Sequence, residues 1–126
     1  MKKVIIFGAT GGLGNLISKK LIDYDIISLG SSDIDITDYI QVNEFFKNNS
    51  ADIVINFAGV NFDKFAHKLT PNDKDIINKQ IDVNIKGSIN IVSSCLPSMR
   101  ENNFGRIILI SSVLAEKPVV STSIYS

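Results

Sequence analysis

Short apolar runs recur along the chain, separated by longer mixed segments. Val4–Phe7, Ile26–Leu29, Ile53–Phe57 and Ile107–Ile110 are mostly β-branched and apolar over four or five residues. Unbroken runs of this kind suit strands covered on both faces, as in a parallel sheet. Ile34-Asp35-Ile36 is a shorter, alternating candidate for a further strand. Helical patterns lie between the runs. Leu13, Leu16, Ile17 and Leu21 fall at i, i+3, i+4 and i+8 and predict one apolar helix face. Asp38 and Gln41 resemble a capping pair opening a helix through Val42, Phe45 and Phe46. Thr70, Pro71 and Asp73 supply an N-cap, a first-turn proline and an acid at the positive helix end. They predict one long helix from Pro71 to Asn102, kinked at Pro97, with Gly105 after its end and a strand beginning at Arg106.

Strand and helix therefore alternate as βαββαβ. That order predicts an α/β fold, a doubly wound parallel sheet with right-handed crossovers and strand order 3-2-1-4-5. In such a sheet the ligand crevice lies beside the first and fourth strands, at their carboxyl ends. No repeat, low-complexity tract or linker interrupts the pattern, so residues 1–126 read as one domain.

Composition narrows the function. The 126 residues are 44% hydrophobic and 21% charged, with 13 basic against 13 acidic. One compact domain of this size buries roughly two-thirds of its unfolded surface. A balanced charge argues against nucleic acid or an anionic membrane as partner, since both need a basic field. No apolar run approaches the ~20 residues of a membrane helix, and Met1-Lys2-Lys3 leads into too few apolar residues for a secretion signal. Cys95 is the single cysteine, which excludes an internal disulfide, offers no metal cluster and fits a cytoplasmic location. His67 reads as a surface residue, Cys95 as a small core residue, and Phe45-Phe46 as core on one side and partner-facing on the other.

Four of the eight glycines lie between positions 8 and 14. Gly8-Ala9-Thr10-Gly11-Gly12-Leu13-Gly14 follows the first strand directly and opens the first helix. Glycine there permits a tight turn and lets a pyrophosphate approach the backbone amides where no Cβ intervenes. Gly14 would let the helix pack closely on the sheet. This position is the one a dinucleotide fingerprint demands. The spacing Gly8-x-x-x-Gly12-x-Gly14 is more open than the Gly-x-Gly-x-x-Gly of larger dehydrogenases.

With these residues the sequence resembles the short-chain dehydrogenases/reductases, a Rossmann-type family. Phe7 to Gly14 matches their Thr-Gly-x-x-x-Gly-x-Gly, with Phe7 in place of Thr. Asn56-Phe57-Ala58-Gly59 matches Asn-Asn-Ala-Gly with one change. Asp82-Val83-Asn84 followed by Gly87 matches the long-helix motif. Leu96-Pro97-Ser98-Met99 and Gly105-Arg106-Ile107 through Ser111-Ser112 look like the single-domain, ketoacyl-reductase-like branch.

The resemblance implies hydride transfer between a nicotinamide and a carbonyl or alcohol carbon of a small molecule. It nominates Ser112 as the donor orienting the substrate oxygen and Tyr125, thirteen residues on, as the acid/base. Ser111 should point the other way. Asn84 would hold a water in the proton relay. Gly8, Thr10, Gly11, Gly12, Leu13 and Gly14 would cradle the pyrophosphate, and Asn56, Ala58 and Gly59 would line the groove. Asp35, with Ile36, matches the family's Asp near the adenine amino group. A tyrosine phenol in water titrates at about 10 and is a poor base at neutral pH. The family lowers it with a lysine four residues further on, beyond Ser126. The last two strands and the substrate-covering loop would also lie beyond it. The chain is thus expected to be the N-terminal portion of a longer, truncated enzyme, inactive alone. The alternative is a non-catalytic dinucleotide-binding module or an inactive fragment.

The end of the second run bears on NAD against NADP. An acid there grips the ribose diol, whereas a basic residue takes the 2′-phosphate. Ser31 and Ser32 after Gly30 lean towards NADP(H); Asp33 could reverse the choice. Only five residues separate Leu29 from Asp35, a link similar to that of deoxysugar-nucleotide reductases. The resemblance also implies a homo-oligomer cored by the long helix.

Overall fold

The computed structural model describes all 126 residues, Met1–Ser126. The four unbroken apolar runs become four strands: β1 (Lys3–Phe7), β2 (Asp25–Leu29), β3 (Ile53–Asn56) and β4 (Arg106–Leu109). They pair in the order β2-β1-β3-β4, and every pairing is parallel. The register sets Val4 between Ile26 and Ile53, and Ile55 beside Ile108. The central strand is the driest, with Ile5, Ile6 and Phe7 fully buried, as its unbroken apolar sequence requires. The architecture is the α/β parallel sheet expected from the alternation.

One expected strand is missing. Ile34–Ile36 joins no ladder, so the order lacks its third member. The backbone there is committed elsewhere. The Gly30 carbonyl accepts from the Asp33 and Ile34 amides, which closes a turn. The Asp35 amide donates to Gln41 Oε1 at 2.6 Å, and the Ile36 carbonyl accepts from Asn90 Nδ2 at 2.9 Å. Ile34 and Ile36 are nevertheless buried in the core. Their alternation reported burial, not pairing.

Helix α1 (Gly12–Lys20) covers one face of the sheet. Its buried residue is Gly14, so the face turned inward runs through Gly14, Ile17, Ser18 and Leu21. The predicted face centred on Leu13 and Leu16 is therefore offset, and those two leucines stay half exposed, at 52% and 51%. Helix α2 (Tyr39–Asn48) begins at Asp38, whose carboxylate accepts from the Gln41 amide. It packs on the later helix Ser88–Glu101, and its Phe45 and Phe46 both stack against Phe7, with centroids at 6.2 and 5.9 Å. Phe45 thus faces the core rather than a partner.

The long helical stretch starts with a 3-10 turn at Pro71–Asp73 and continues as α3 (Lys74–Ile81) and α4 (Ser88–Glu101). Between them Asp82–Gly87 forms a π turn. The departure from regular geometry falls there, while Pro97 sits inside α4. Ile91, Cys95 and Met99 on α4 join Ile5, Phe7, Val42 and Val54 in the main core. A smaller cluster of Val4, Ile6, Ala9 and Ile55 lies on the α1 side.

Candidate functional site

The glycine loop connects the most buried strand to α1. Gly8 has φ 71°, a left-handed conformation, and a Cβ there would strike the Phe57 and Ala58 backbone. The ends of β1 and β3 can therefore touch only with glycine at position 8. A Cβ at Gly14 would collide with the Gly8 carbonyl, so this glycine seats the helix under the loop. Gly12 differs from both: its Cβ direction is open space. Gly11 caps α1 without any side-chain hydrogen bond, which leaves the first-turn amides without a side-chain acceptor. An exposed helix N-terminus approached over bare glycines suits a phosphate, and these residues fit a pyrophosphate.

Two clefts run along the carboxyl ends of the strands and share Phe57, Ala58, Gly59 and Val60 as a common wall. One, of about 480 Å³, is bounded by Gly8, Thr10 and Gly11, by Ser31 beyond β2, and by Asp35 and Ile36. The other, of about 360 Å³, gathers Asn56, Asn84, Ser112 and Tyr125. Two regions far apart in sequence, the glycine loop and the Ser112–Tyr125 segment, thus border clefts on either side of one wall. Gly12, Leu13, Gly14 and Ser32 are not among the residues lining either cleft. Ser111, expected to point away, borders the same cleft as Ser112.

Ser112 stands just after β4 and begins a 3-10 turn, Val113–Ala115. Its Oγ accepts from the Leu114 amide at 3.2 Å, so its own proton stays available for donation. Asn84 lies in the π turn and is engaged twice. Its Oδ1 accepts from the Val60 amide and its Nδ2 donates to the Val60 carbonyl, both at 2.8 Å. This clamp uses one of the two amide N–H donors and one of the two oxygen lone pairs, so a donor and an acceptor position remain. The Asn84 carbonyl accepts from Ser88 Oγ, which in turn accepts from Asn56 Nδ2. Asn56 Oδ1 then accepts from the Ala58 amide at 2.9 Å. This chain of bonds fixes the common wall against the long helix.

At the end of β2, Asp33 Oδ2 accepts from the Gly30 amide at 2.7 Å. Asp33 is thereby folded into the turn, while Ser31 faces the cleft. Asp35 Oδ1 accepts from the Thr37 amide and hydroxyl at 2.9 and 2.7 Å. Phe57, where the motif has Asn, packs its ring on the smaller core cluster. Sequence reasoning missed Lys79 and Val83, both at the wall of the larger cleft. They are four apart on one helical run, a spacing that could have marked them. Burial pushes the Cys95 thiol up to about 11, so it is no nucleophile at neutral pH. No three His, Cys, Asp or Glu side chains converge, and no helix is long and apolar enough to cross a membrane.

A family profile described as short chain dehydrogenase matches residues 29–126. The chain belongs to the short chain dehydrogenase family. The match takes in Asn84, Ser112 and Tyr125 but begins after the glycine loop. An uncharacterized oxidoreductase of Staphylococcus aureus (strain MW2) is 36% identical over 97 residues, covering 73% of this chain and 41% of that protein. The acetoacetyl-CoA reductase of Shinella zoogloeoides is also 36% identical, over 75 residues, covering 60% of this chain and 30% of its own. The chain thus spans about two-fifths or less of the length of these two short chain dehydrogenase relatives. In fold it superposes on ElxO, solved with NADP bound, at a TM-score of 0.85 and 23% identity, over 99% of this chain and 61% of that one. That likeness includes the glycine loop.

Proposed function

We propose that this short chain dehydrogenase is the cofactor-binding part of an NAD(P)-dependent oxidoreductase acting on a carbonyl or alcohol of a small molecule. The observation that carries the reading is the pair of adjoining clefts on the shared wall Phe57–Val60, one bordered by the glycine loop and the other by Ser112 and Tyr125. When bound, the nicotinamide supplies or takes the hydride. The first-turn amides of α1 and the bare backbone of Gly11 and Gly12 hold the pyrophosphate. Ser112, its oxygen already anchored on the Leu114 amide, donates its proton to the substrate oxygen and orients it. Tyr125, in the same cleft, exchanges a proton with that oxygen. Asn84 acts as a positioning residue, holding Val60 and with it the wall between the two clefts.

The residues after β2 bear on the cofactor form. Ser31 faces the cleft while Asp33 is turned away, which supports NADP(H), the form ElxO was solved with. The lysine that the resemblance sets four residues after Tyr125 is not among the 126, so this polypeptide binds cofactor without turning over. The reading further takes the chain as one cytoplasmic domain whose long helix self-associates. Titration of NADPH and NADH into the chain, followed by nucleotide fluorescence, tests it. Saturable binding, tighter for NADPH, is expected; no response to either at millimolar concentration overturns the reading. Carbonyl reduction above background by the 126 residues would overturn the expected lack of turnover.

A further inference from the structure

Three polar side chains spaced by four along the long helical stretch, Gln80, Asn84 and Ser88, all reach the chain that leaves β3. Ser88 Oγ accepts from Asn56 Nδ2 at 3.2 Å, and Asn84 bonds Val60 twice at 2.8 Å. Gln80 is the outermost rung: its Oε1 accepts from the Phe62 amide at 2.6 Å. Two residues further on, the Lys64 amide donates to the Ser121 carbonyl at 2.8 Å, and Ser121 lies four residues before Tyr125. The amides of Val60, Phe62 and Lys64 thus each have a separate anchor, and Gln80 holds the middle one. Asn61 lies within that span. It is exposed, and it borders the cleft of Ser112 and Tyr125 but not the glycine-loop cleft.

Gln80 sits where an apolar side chain would serve the fold better. It is 2% exposed, and its Nε2 has no hydrogen-bond partner. An unpaired buried amide lowers stability, and an apolar side chain of the same length avoids that loss. We propose that Gln80 is a positioning residue for the nicotinamide end of the cofactor site. By fixing Phe62 it holds Asn61 against the ligand in the Ser112–Tyr125 cleft. The proposal rests on the NAD(P) reading, which puts the nicotinamide in that cleft, and adds two residues to it. Asn61 touches the cofactor through its carboxamide, and Gln80 acts only through Asn61. Asn84 clamps Val60 independently, so loss of Gln80 leaves the wall shared with the glycine-loop cleft in place. The effect is therefore confined to the nicotinamide end, and the phosphates and adenosine do not register it.

The test is a calorimetric titration of the 126-residue chain with NADPH and with 2′-phospho-ADP-ribose, which is NADPH without its nicotinamide. Gln80→Met keeps the side-chain length and removes the acceptor. It should weaken NADPH by about fivefold, the worth of one hydrogen bond, and leave 2′-phospho-ADP-ribose unchanged. Its urea midpoint should not fall, since the unpaired Nε2 goes with the acceptor. Asn61→Ala, at an exposed position, should reproduce the selective loss without disturbing the fold. The double variant should lose no more than the larger single loss, because one contact is removed twice. An unchanged NADPH affinity in either single variant overturns the proposal, and so does a double loss equal to the product of the two. A lowered midpoint with equal loss for both ligands in Gln80→Met also overturns it, because the defect is then general. Failure of wild type to bind either ligand instead overturns the cofactor reading itself.

Discussion

At the scale of single residues, the loop separates glycines that serve the fold from a glycine that serves a ligand. Gly8 and Gly14 have no room for a side chain because backbone already fills it. Gly12, at the first position of α1, faces open space. Stability and binding should therefore part company. Gly14→Ala forces apart the loop and helix and should cost about 3 kcal/mol, as overpacking of this kind does. Gly12→Ala should stay within about 1 kcal/mol of wild type, since alanine is the better helix former. The same change puts a methyl where a phosphate would approach, and should weaken NADPH by about tenfold, a loss of about 1.4 kcal/mol. Urea unfolding and cofactor titration of both variants read the two quantities separately. An affinity unchanged in Gly12→Ala would mean that the phosphate does not sit on this loop.

Among the elements, the start of the long helix carries the chain's best-defined ion pair. Asp73 accepts from the Thr70 amide at 2.8 Å and holds Lys64 Nζ at 2.7 Å. The Lys64 contact, with the Thr70 amide next, lowers the carboxyl below its ordinary 3.8. A depressed folded value means that the contribution to stability is complete above the ordinary value. It is lost as pH falls through the lower folded one. The urea midpoint of wild type should therefore drop between pH 4 and pH 2 more steeply than that of Asp73→Asn, and the two slopes should coincide above pH 5. Identical slopes over the acid range would remove Asp73 from the cause.

This helix start was legible from Thr70, Pro71 and Asp73, as were four strands, because local pattern and burial agree there. Ile34–Ile36 misled because alternation records only which side chains are buried. Whether backbone groups pair was decided by Gln41 and Asn90, side chains from elsewhere in the chain. The π turn left no trace in spacing, and the contacts made there are tertiary: Asn84 bonds Val60 twice, and Gly87 leaves the room that Ile36 occupies. The Leu13–Leu16 face was read one step off because glycine contributes nothing to an apolar count. In α1 a glycine makes the closest contact of all.

For the molecule as a whole, the two faces of the sheet are unequally dressed. The α2–α4 side buries eleven residues in its cluster and the α1 side four. Ile108 and Ile110 remain exposed at 38% and 52%, and so does a row on the long helix, Ile81, Ile85 and Ile89, at 41%, 55% and 59%. Residues spaced by four keep to one side of a helix, so the second set forms a continuous apolar stripe. Proposed self-association through the long helix makes that stripe the contact. Sedimentation velocity should then show a mass that rises with concentration towards twice that of the chain. Ile85→Lys should hold it at the monomer, because an ammonium in the middle of an apolar contact must be desolvated. Ile110→Lys provides the counter-case, as it charges the end of β4 and leaves the stripe intact. If Ile110→Lys dissociates the chain and Ile85→Lys does not, copies meet at the β4 end of the sheet, and the long helix loses its assigned role.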